Sequence, residues 1–373
     1  MSDTPSSDRF QPLAGPGYSV PVAVVTAVEP VLRDALIGGL LLDAADVLAL
    51  RYEVDEDSAA LRRIVVAADG VVEDELVELD HPCVSCAMRE DAVPTLARLA
   101  EARQVAGILL GPPISADPSV VAGTLRPHQD AWHLAPALAV ASADDALHDL
   151  LGDDTLAERG LQWASGDERS VGEALAAQLE YSDRIVLVGE PDSAGAELVE
   201  HLRAPEQELV TDLYALPLSR VLSGRLDHLL ALRRRDARYV EPYGGPTEHG
   251  TWTLDLSSDR PFHPRRLLEN IEQLGGGRLR ARGHFWVPDR PDSICQWDGA
   301  GGQVSVGAVW RAGRDLPTTH LVITGVEAED PERVRGAFAR SLLTESEWEA
   351  GLMPWLGTED VLAPWLGART SVG

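Results

Sequence analysis

The chain has 373 residues, is 45% hydrophobic and carries a formal net charge of −28. This length predicts two domains with ordinary cores, and no window approaches the apolar run of about 18 residues that a membrane-spanning helix needs. So negative a chain disfavours direct binding to nucleic acid or an anionic membrane, and favours a basic protein or a cation. Residues 1–17 are polar and lack the apolar core of a signal peptide, so we expect a short disordered arm on a cytoplasmic protein.

Short apolar runs alternate with helical patterns in the first half of the chain. Residues 21–26 (PVAVVT) are apolar and β-branched, as is typical of a buried parallel strand, and residues 32–45 follow with helical spacing. Further strands are predicted at residues 64–67, 105–110, 135–141 and 185–189, with a helix at 94–102. This alternation predicts an α/β domain over residues 18–217, with a mostly parallel sheet and helices on both faces.

The pattern changes after residue 217. Residues 218–250 hold an arginine-rich helical stretch (221–235) and a Pro/Gly-rich linker (239–249). The segment 251–349 predicts a second, antiparallel α+β domain, and residues 350–373 a C-terminal tail. Its predicted strands are 251–256, 278–287, 293–299, 303–310 and 320–325, and its predicted helices are 264–274 and 331–343.

Several segments match one known family in order. Residues 21–41 have the length and flanks of a strand, phosphate loop and helix, and residues 107–119 (GILLGPPISADPS) and 178–187 (QLEYSDRIVL) follow. FHPRRLLENI, LRARGHFWVPDRPD and WDGAGG lie in the second half. Together they resemble the CobW family of metal-linked P-loop GTPases. The resemblance implies a P-loop-GTPase-like first domain and a CobW C-terminal α+β domain.

The residues that would bind nucleotide differ from the family pattern. A phosphate loop needs G-x-x-x-x-G-K-[ST], whose glycines expose backbone N–H groups and whose hydroxyl holds Mg²⁺. The aligned residues are Ala27, Leu32, Arg33 and Asp34. Gly-Pro-Pro-Ile (111–114) replaces Glu-Thr-Ser-Gly, and Val-Gly-Glu-Pro (188–191) replaces Asn-Lys-x-Asp. We therefore expect a pseudo-GTPase with no catalytic residues and no bound GTP, although Asp34 could hold a metal and another mode of nucleotide binding stays open.

Cys83-x-x-Cys86 has three interpretations: a zinc clip, a redox pair, or a reduced pair in a turn. Two thiolates can hold one side of a tetrahedral Zn²⁺, and a structural site requires four ligands. The further candidate donors are His81, Asp80 and Glu78 nearby, and Cys295 in the other domain. A redox role has little support, because no thioredoxin-like sequence surrounds the pair.

The resemblance adds a metal role for this pair. Cys83 and Cys86 match the outer cysteines of the family's Gly-Cys-x-Cys-Cys motif, with Ser85 in place of the middle one. The stretch resembles in particular a branch of actinobacterial, mainly mycobacterial, ribosome-hibernation recruitment factors. That branch implies a non-hydrolysing adaptor in the zinc-starvation response, which brings a hibernation-promoting factor to the ribosome. Two alternatives are a zinc or cobalt metallochaperone (or metal-linked GTPase) that uses the pair, and a metal sensor.

Other candidates have ordinary structural interpretations. Met88 is expected in the core, and Arg89, Glu90 and Asp91 are expected to begin a helix. The basic residues 227–238 are expected to form a solvated helix face paired with acids, with an anchor for acidic surfaces or nucleic acid as the alternative. The aromatic residues Phe285, Trp286 and Trp297 are expected in the C-terminal core. The scattered histidines expected to be structural are His249, His263, His284 and His320.

Overall fold

The computed structural model describes residues 19–42, 44–54, 60–79, 83–102, 105–164, 166–311, 317–367 and 369. The predicted arm at residues 1–17 lies outside these ranges. A nine-stranded sheet and a five-stranded sheet organise the described chain. The α/β class and the separate antiparallel C-terminal domain are therefore confirmed. Among the described helices, none has the length and apolar composition needed to cross a bilayer.

The first sheet has the strand order β4-β3-β2-β5-β1-β7-β8-β9, with β6 beside β1. Its strands are β1 (Val20–Thr26), β2 (Val47–Val54), β3 (Leu61–Ala67), β4 (Gly70–Val77), β5 (Gly107–Gly111), β6 (Trp132–Leu134), β7 (Leu138–Ser142), β8 (Arg184–Val188) and β9 (Glu208–Val210). The helices around it are α1 (Pro30–Leu41), α2 (Val84–Cys86), a π-helix (Ala87–Ala92), α3 (Val93–Glu101), α4 (Pro118–Leu125), α5 (Ala146–Leu151), α6 (Val171–Tyr181) and α7 (Ala194–Leu202).

Strand β1 lies in the middle of this sheet and is buried on both faces. Val22 and Val24 contact one hydrophobic cluster, and Ala23 and Val25 contact the cluster on the opposite face. Successive side chains of a strand point to opposite faces, so a strand covered on both sides needs an unbroken apolar run. This explains why PVAVVT identified β1 without ambiguity.

The edge formed by β2, β3 and β4 differs from the βαβ prediction. The strand predicted at 64–67 is present, but it pairs antiparallel with both β2 and β4. Strand β4 is largely exposed and carries Glu73, Asp74 and Glu75. An edge strand that faces water has no apolar run to mark it, and its acids pair instead with arginines, such as Arg62 with Asp74 at 2.6 Å.

The helix predicted at 221–235 is two helices, α8 (Leu218–Val221) and α9 (His228–Arg235). Gly224 lies between them with φ of +87°, a conformation that other residues rarely adopt. Asp227 then caps α9 by accepting a hydrogen bond from the backbone N–H of Leu230 at 3.0 Å. The break sets the direction of α9 independently of α8.

The C-terminal domain is a five-stranded antiparallel sheet in the order β10-β14-β11-β12-β13, with helices on one face. Phe285, Trp286 and Trp297 are fully buried, as predicted. Leu362 and Leu366, beyond the last strand, also lie in this core. The strands are β10 (Trp252–Ser258), β11 (Leu279–Phe285), β12 (Ser293–Ala300), β13 (Gln303–Arg311) and β14 (Thr319–Gly325), and the helices are α10 (Pro264–Gly275), α11 (Asp330–Ser341), α12 (Glu345–Glu349) and α13 (Ala363–Leu366).

A buried ion pair joins the two domains. Glu180 of α6 accepts hydrogen bonds from Arg280 of β11, the shorter of them at 2.6 Å, and both side chains are buried. Arg280 also pairs with Asp298, and Arg282 lies 3.4 Å from Glu180. Removing one member of such a network leaves an uncompensated charge without water.

We expect Glu180→Gln to lower the free energy of unfolding by about 3–5 kcal/mol, because Arg280 then loses a buried carboxylate partner. Urea unfolding followed by tryptophan fluorescence measures the change. The matched control is Glu359→Gln, which breaks an exposed pair with Arg265 at 2.7 Å and should cost at most about 1 kcal/mol. Equal effects of the two substitutions would contradict this account of the domain junction.

Candidate functional site

The loop between β1 and α1 is shorter than a phosphate loop. Strand β1 ends at Thr26 and α1 begins at Pro30, so only three residues connect them. The backbone N–H of Arg33 donates to the carbonyl of Glu29, and the Glu29 carboxylate accepts from the N–H of Val31 at 3.4 Å. The helix N-terminus that would attract phosphate is therefore capped by a carboxylate of the chain itself.

Arg33, which the family resemblance aligns with the phosphate-binding lysine, points into the protein. Its side chain is 1% exposed. Its Nη1 donates to the carbonyl oxygens of Pro112 at 2.7 Å and Tyr52 at 3.1 Å, and its Nε donates to Asp34 at 2.9 Å. Asp34 also pairs with Arg51 at 2.6 Å. Arg33 and Asp34 thus hold the ends of β2 and β5 together.

The second loop is bonded to the first. The N–H of Ser115 donates to the carbonyl of Ala27, and Gln178 Nε2 donates to the carbonyls of Ala27 and Ala116 at 3.2 and 3.3 Å. Ser115 is buried and has φ of +63°, the left-handed conformation that a residue other than glycine adopts only under tertiary constraint. These bonds close the two loops against each other.

The third loop offers no side-chain amide to read a guanine base. Val188 ends β8, and Gly189 follows with φ of +117° close to the Asp144 carboxylate. Glu190 is exposed and accepts a hydrogen bond from the N–H of Asp192. The Glu190 carboxylate therefore faces solvent, bonded to the backbone of its own loop.

The cysteine pair lies at the start of a continuous helical segment. Cys83 is exposed and caps α2, its Sγ accepting from the N–H of Cys86 at 3.2 Å. Cys86 is buried, and Arg89 Nη2 lies 3.6 Å from its Sγ. Met88 is fully buried, as predicted. The pair therefore has one accessible thiol and one that faces the protein.

Cys83 affects the protonation of Cys86. The adjacent Cys83, together with burial, raises the pKa of Cys86 to about 11, and Arg89 opposes this rise only in part. Thiolate is the form that binds a soft metal, so binding would release protons from this pair. Thiolate ligands select zinc and other soft cations over magnesium or calcium.

The remaining ligands of a zinc site are not brought together by the described residues, among which no group of three His, Cys, Asp or Glu side chains could hold a metal ion. His81 and Asp80 lie outside the described residues, and Glu78 is exposed. Cys295 is buried in the C-terminal core, so it is not a ligand beside the pair, contrary to the possibility raised above. The donor set in view is Cys83 and Cys86.

The predicted structural histidines stay apart from the cysteines. His263 caps α10, and His284 bonds to the carbonyl of Ala237 at 3.1 Å. The other two pair with acids: His249 with Asp192 at 3.1 Å and His320 with Asp255 at 2.6 Å.

Asp91 connects the cysteine segment, through Tyr52, to Arg33 of α1, a link that the sequence did not reveal. It is buried and accepts hydrogen bonds from the Tyr52 hydroxyl and from Arg63 Nη1, each at 2.6 Å. Burial, followed by the Asp91 carboxylate, raises the pKa of Tyr52 well above its usual value. The carbonyl of Tyr52 is one of the two that Arg33 binds. The sequence alone predicts Asp91 only as an acid at the start of a helix.

The chain has two domains. The first is an α/β domain with a central strand–loop–helix unit and a thiol pair, and the second is an antiparallel α+β domain. The family models agree. "CobW/HypB/UreG, nucleotide-binding domain" matches residues 47–213, and "Cobalamin synthesis protein cobW C-terminal domain" matches residues 251–342. The chain therefore combines the CobW/HypB/UreG nucleotide-binding domain with the CobW C-terminal domain. Residues 27–34 precede the first match.

Similar proteins include "Zinc chaperone Rv0106" of Mycobacterium tuberculosis, 26% identical over 293 residues that cover 73% of this chain and 69% of that protein. "Zinc-regulated GTPase metalloprotein activator 1" of Dictyostelium discoideum is 24% identical over 253 residues, 62% of this chain, and the match spans about half (53%) of that protein. Among solved structures, the Zn(II)-bound YjiA GTPase from E. coli aligns with 87% of this chain and 99% of its own, at a TM-score of 0.34 and 14% identity.

The environments of the thiols predict different reactivities. In metal-free protein at pH 8, iodoacetamide should label Cys83 at least about ten-fold faster than Cys86, because the Cys86 thiol is buried and stays protonated below its raised pKa. Peptide mass spectrometry over time measures both rates. Cys295, whose pKa burial raises to about 12, is the internal control and should react only in denaturant. Equal rates at Cys83 and Cys86 would contradict the arrangement.

Proposed function

We propose that this chain is a zinc-linked CobW-type protein with a closed nucleotide site, which acts by binding another protein and not by hydrolysing GTP. The observation that carries this proposal is the position of Arg33. Its guanidinium is buried against the carbonyls of Pro112 and Tyr52, where it cannot reach a phosphate unless two buried carbonyls lose their donor.

Three further features support a closed site. Helix α1 starts early, at Pro30, and Glu29 caps it. Asp34 and Glu53 add carboxylates around Arg33, the latter at 4.0 Å. A nucleoside triphosphate carries several negative charges and would have to displace these groups, and Arg33 and Asp34 occupy the positions that the resemblance assigns to the lysine and the Mg²⁺-binding hydroxyl. If Arg33 turned toward a phosphate, the buried carbonyls of Pro112 and Tyr52 would lose their hydrogen-bond donor, which is energetically unfavourable.

Zinc is the cargo or signal that the thiol pair fits. Two of the relatives carry zinc in their names, and a C-x-x-C pair with one exposed thiol can accept a soft cation. Cys86 and Asp91 lie in one helical segment, and Asp91 is fixed to β2 and β3 through Tyr52 and Arg63. A metal bound to the pair would therefore contact a helical segment that Asp91 fixes to the sheet.

The partner we infer is a basic protein. The net charge of −28 favours such a partner and would make its association strongly salt-dependent. The branch that the sequence resembles suggests a hibernation-promoting factor at the ribosome. The second candidate function is a zinc chaperone, which the exposed Cys83 and the name of the mycobacterial relative favour. A zinc chaperone would deliver the metal to a client protein, whereas an adaptor would bring two partners together.

For the closed site, we expect no saturable binding of fluorescent mant-GTP with Mg²⁺ at concentrations where GTPases bind, and no phosphate release. Arg33→Lys restores the residue type of a phosphate loop but should restore neither activity, since α1 still begins at Pro30. Fluorescence titration and a phosphate assay measure both. Micromolar binding with turnover by the unmodified chain would overturn the proposal.

For the metal, we expect untagged protein to retain about one zinc per chain, as a site built on a thiolate pair predicts, and the Cys83→Ser/Cys86→Ser variant to retain none. Elemental analysis after dialysis measures the ratio. Cys295→Ala, which removes a thiol elsewhere, should leave the zinc content unchanged. Loss of zinc in all variants alike, or in none, would contradict the assignment.

The same variants separate the two candidate functions. An adaptor should bring a hibernation-promoting factor to ribosomes in a sedimentation assay, and chelation or the double cysteine variant should change the amount recovered. A chaperone should instead transfer radiolabelled zinc to an apo-protein and show no such recovery.

A further inference from the structure

Helix α9 has the reverse of the usual amphipathic arrangement. A surface helix normally turns its apolar residues to the core and its charged residues to water. Here Leu229 is 72% exposed and Leu232 is 39% exposed, whereas Arg234 is 5% exposed. Only Ala231 supplies a fully buried apolar contact from the helix.

Hydrogen bonds fix the helix in this orientation. Arg234 Nη2 donates to the carbonyl of Tyr181 at 2.6 Å and to the carboxylate of Asp183 at 3.0 Å. Arg235 Nη1 donates to Asp117 at 2.7 Å. The predicted pairing with acids is therefore confirmed for these two arginines, but the predicted solvated face is wrong for Arg234, whose side chain is buried. Rotating α9 to bury its leucines would break these charge-assisted bonds, so the leucines stay in solvent.

Three exposed arginines on α9 or close to its start have no carboxylate partner among the described residues. Arg126, Arg225 and Arg233 are exposed, and none of them forms an ion pair with the part of the chain that the structure describes. Arg126 is close enough to His228 at the start of α9 to help lower its pKa, and Arg233 stacks on the Tyr239 ring at 4.6 Å. Most other arginines of this acidic protein are neutralised by acids.

We propose that Leu229, Leu232, Arg126, Arg225 and Arg233 form a docking surface, the α9 patch, for an aliphatic segment flanked by carboxylates on a partner protein. Exposed leucines at i and i+3 on a helix fit the apolar stripe of a partner helix. Exposed guanidinium groups without acid partners, on α9 and near its start, favour acids beside that stripe and repel basic segments. The patch thus accepts a partner of the opposite charge to the one that the acidic body attracts.

Two other occupants fit less well. Single-stranded nucleic acid needs a basic groove with aromatic stacking platforms, and the patch centre is aliphatic in a chain of charge −28. A second copy of this chain in a symmetric contact would bring the same arginines against each other. The α9 patch does not depend on the cysteine pair or on the closed nucleotide loop.

The test uses full-length protein and a fluorescein-labelled amphipathic peptide whose leucine stripe is flanked by glutamates. In fluorescence anisotropy we expect saturable binding that Leu229→Ser/Leu232→Ser weakens by about ten-fold or more, because two apolar contacts are lost. Arg233→Glu should weaken it as well. The matched control is Met353→Ser/Leu356→Ser, which removes two apolar side chains that are 76% and 63% exposed elsewhere and should leave binding unchanged.

Several results would overturn the α9 patch as an acidic-partner site. They are absence of binding to the unmodified protein, equal binding by the leucine variant, or tighter binding of the same peptide with lysine in place of glutamate. Binding of oligouridylate that is lost in the leucine variant would instead identify a nucleic-acid site. A dimer in light scattering that the leucine variant dissociates would identify a self-association surface.

Discussion

The buried guanidinium of Arg33 is the constraint on which the first domain depends. A cation removed from water must be fully hydrogen-bonded, and Arg33 finds two backbone carbonyls and the Asp34 carboxylate. Those carbonyls belong to the ends of β2 and β5, so one side chain joins α1 to two neighbouring strands. A lysine could not bridge both carbonyls and the carboxylate in this geometry, because its ammonium is a single point of charge.

The same use of arginine recurs through the molecule. Arg280 joins the domains through Glu180, Arg234 orients α9, and Arg290 binds Asp360 and the carbonyls of residues 366 and 367 to hold the last helix on the C-terminal core. All 32 basic residues of the chain are arginines, whose planar, forked donors suit several fixed acceptors at once. Much of the tertiary structure is thus cross-linked by buried or half-buried cations within an acidic chain.

This architecture shapes what the protein can do. Residues 47–213 match the CobW/HypB/UreG nucleotide-binding domain, and the loops after β1 and β5 hydrogen-bond to each other. The cysteine segment remains open at Cys83 and is tied at Asp91 to Tyr52, whose carbonyl Arg33 holds. The cysteine segment and the loop before α1 are consequently parts of one connected structure, and the proposed α9 patch lies on a separate element.

Local sequence was informative wherever a short pattern has one structural solution. The run PVAVVT predicted a buried parallel strand, and Phe285, Trp286 and Trp297 were expected in the C-terminal core; the structure confirms both. The edge strand β4 escaped prediction because its three consecutive acids, Glu73, Asp74 and Glu75, interrupt any apolar pattern. The break before α9 depended on one glycine conformation.

The sequence by itself determined the α/β and α+β classes, because these follow from periodicity and residue chemistry; that the phosphate-loop residues are replaced remains an expectation from the family resemblance. Only the tertiary structure decided that Arg33 turns inward, that Asp91 joins the cysteines to β2, and that α9 exposes its leucines. Each of these depends on partners 19 to 118 residues away in the chain, and the direction of a long side chain is set by acceptors that no local pattern contains.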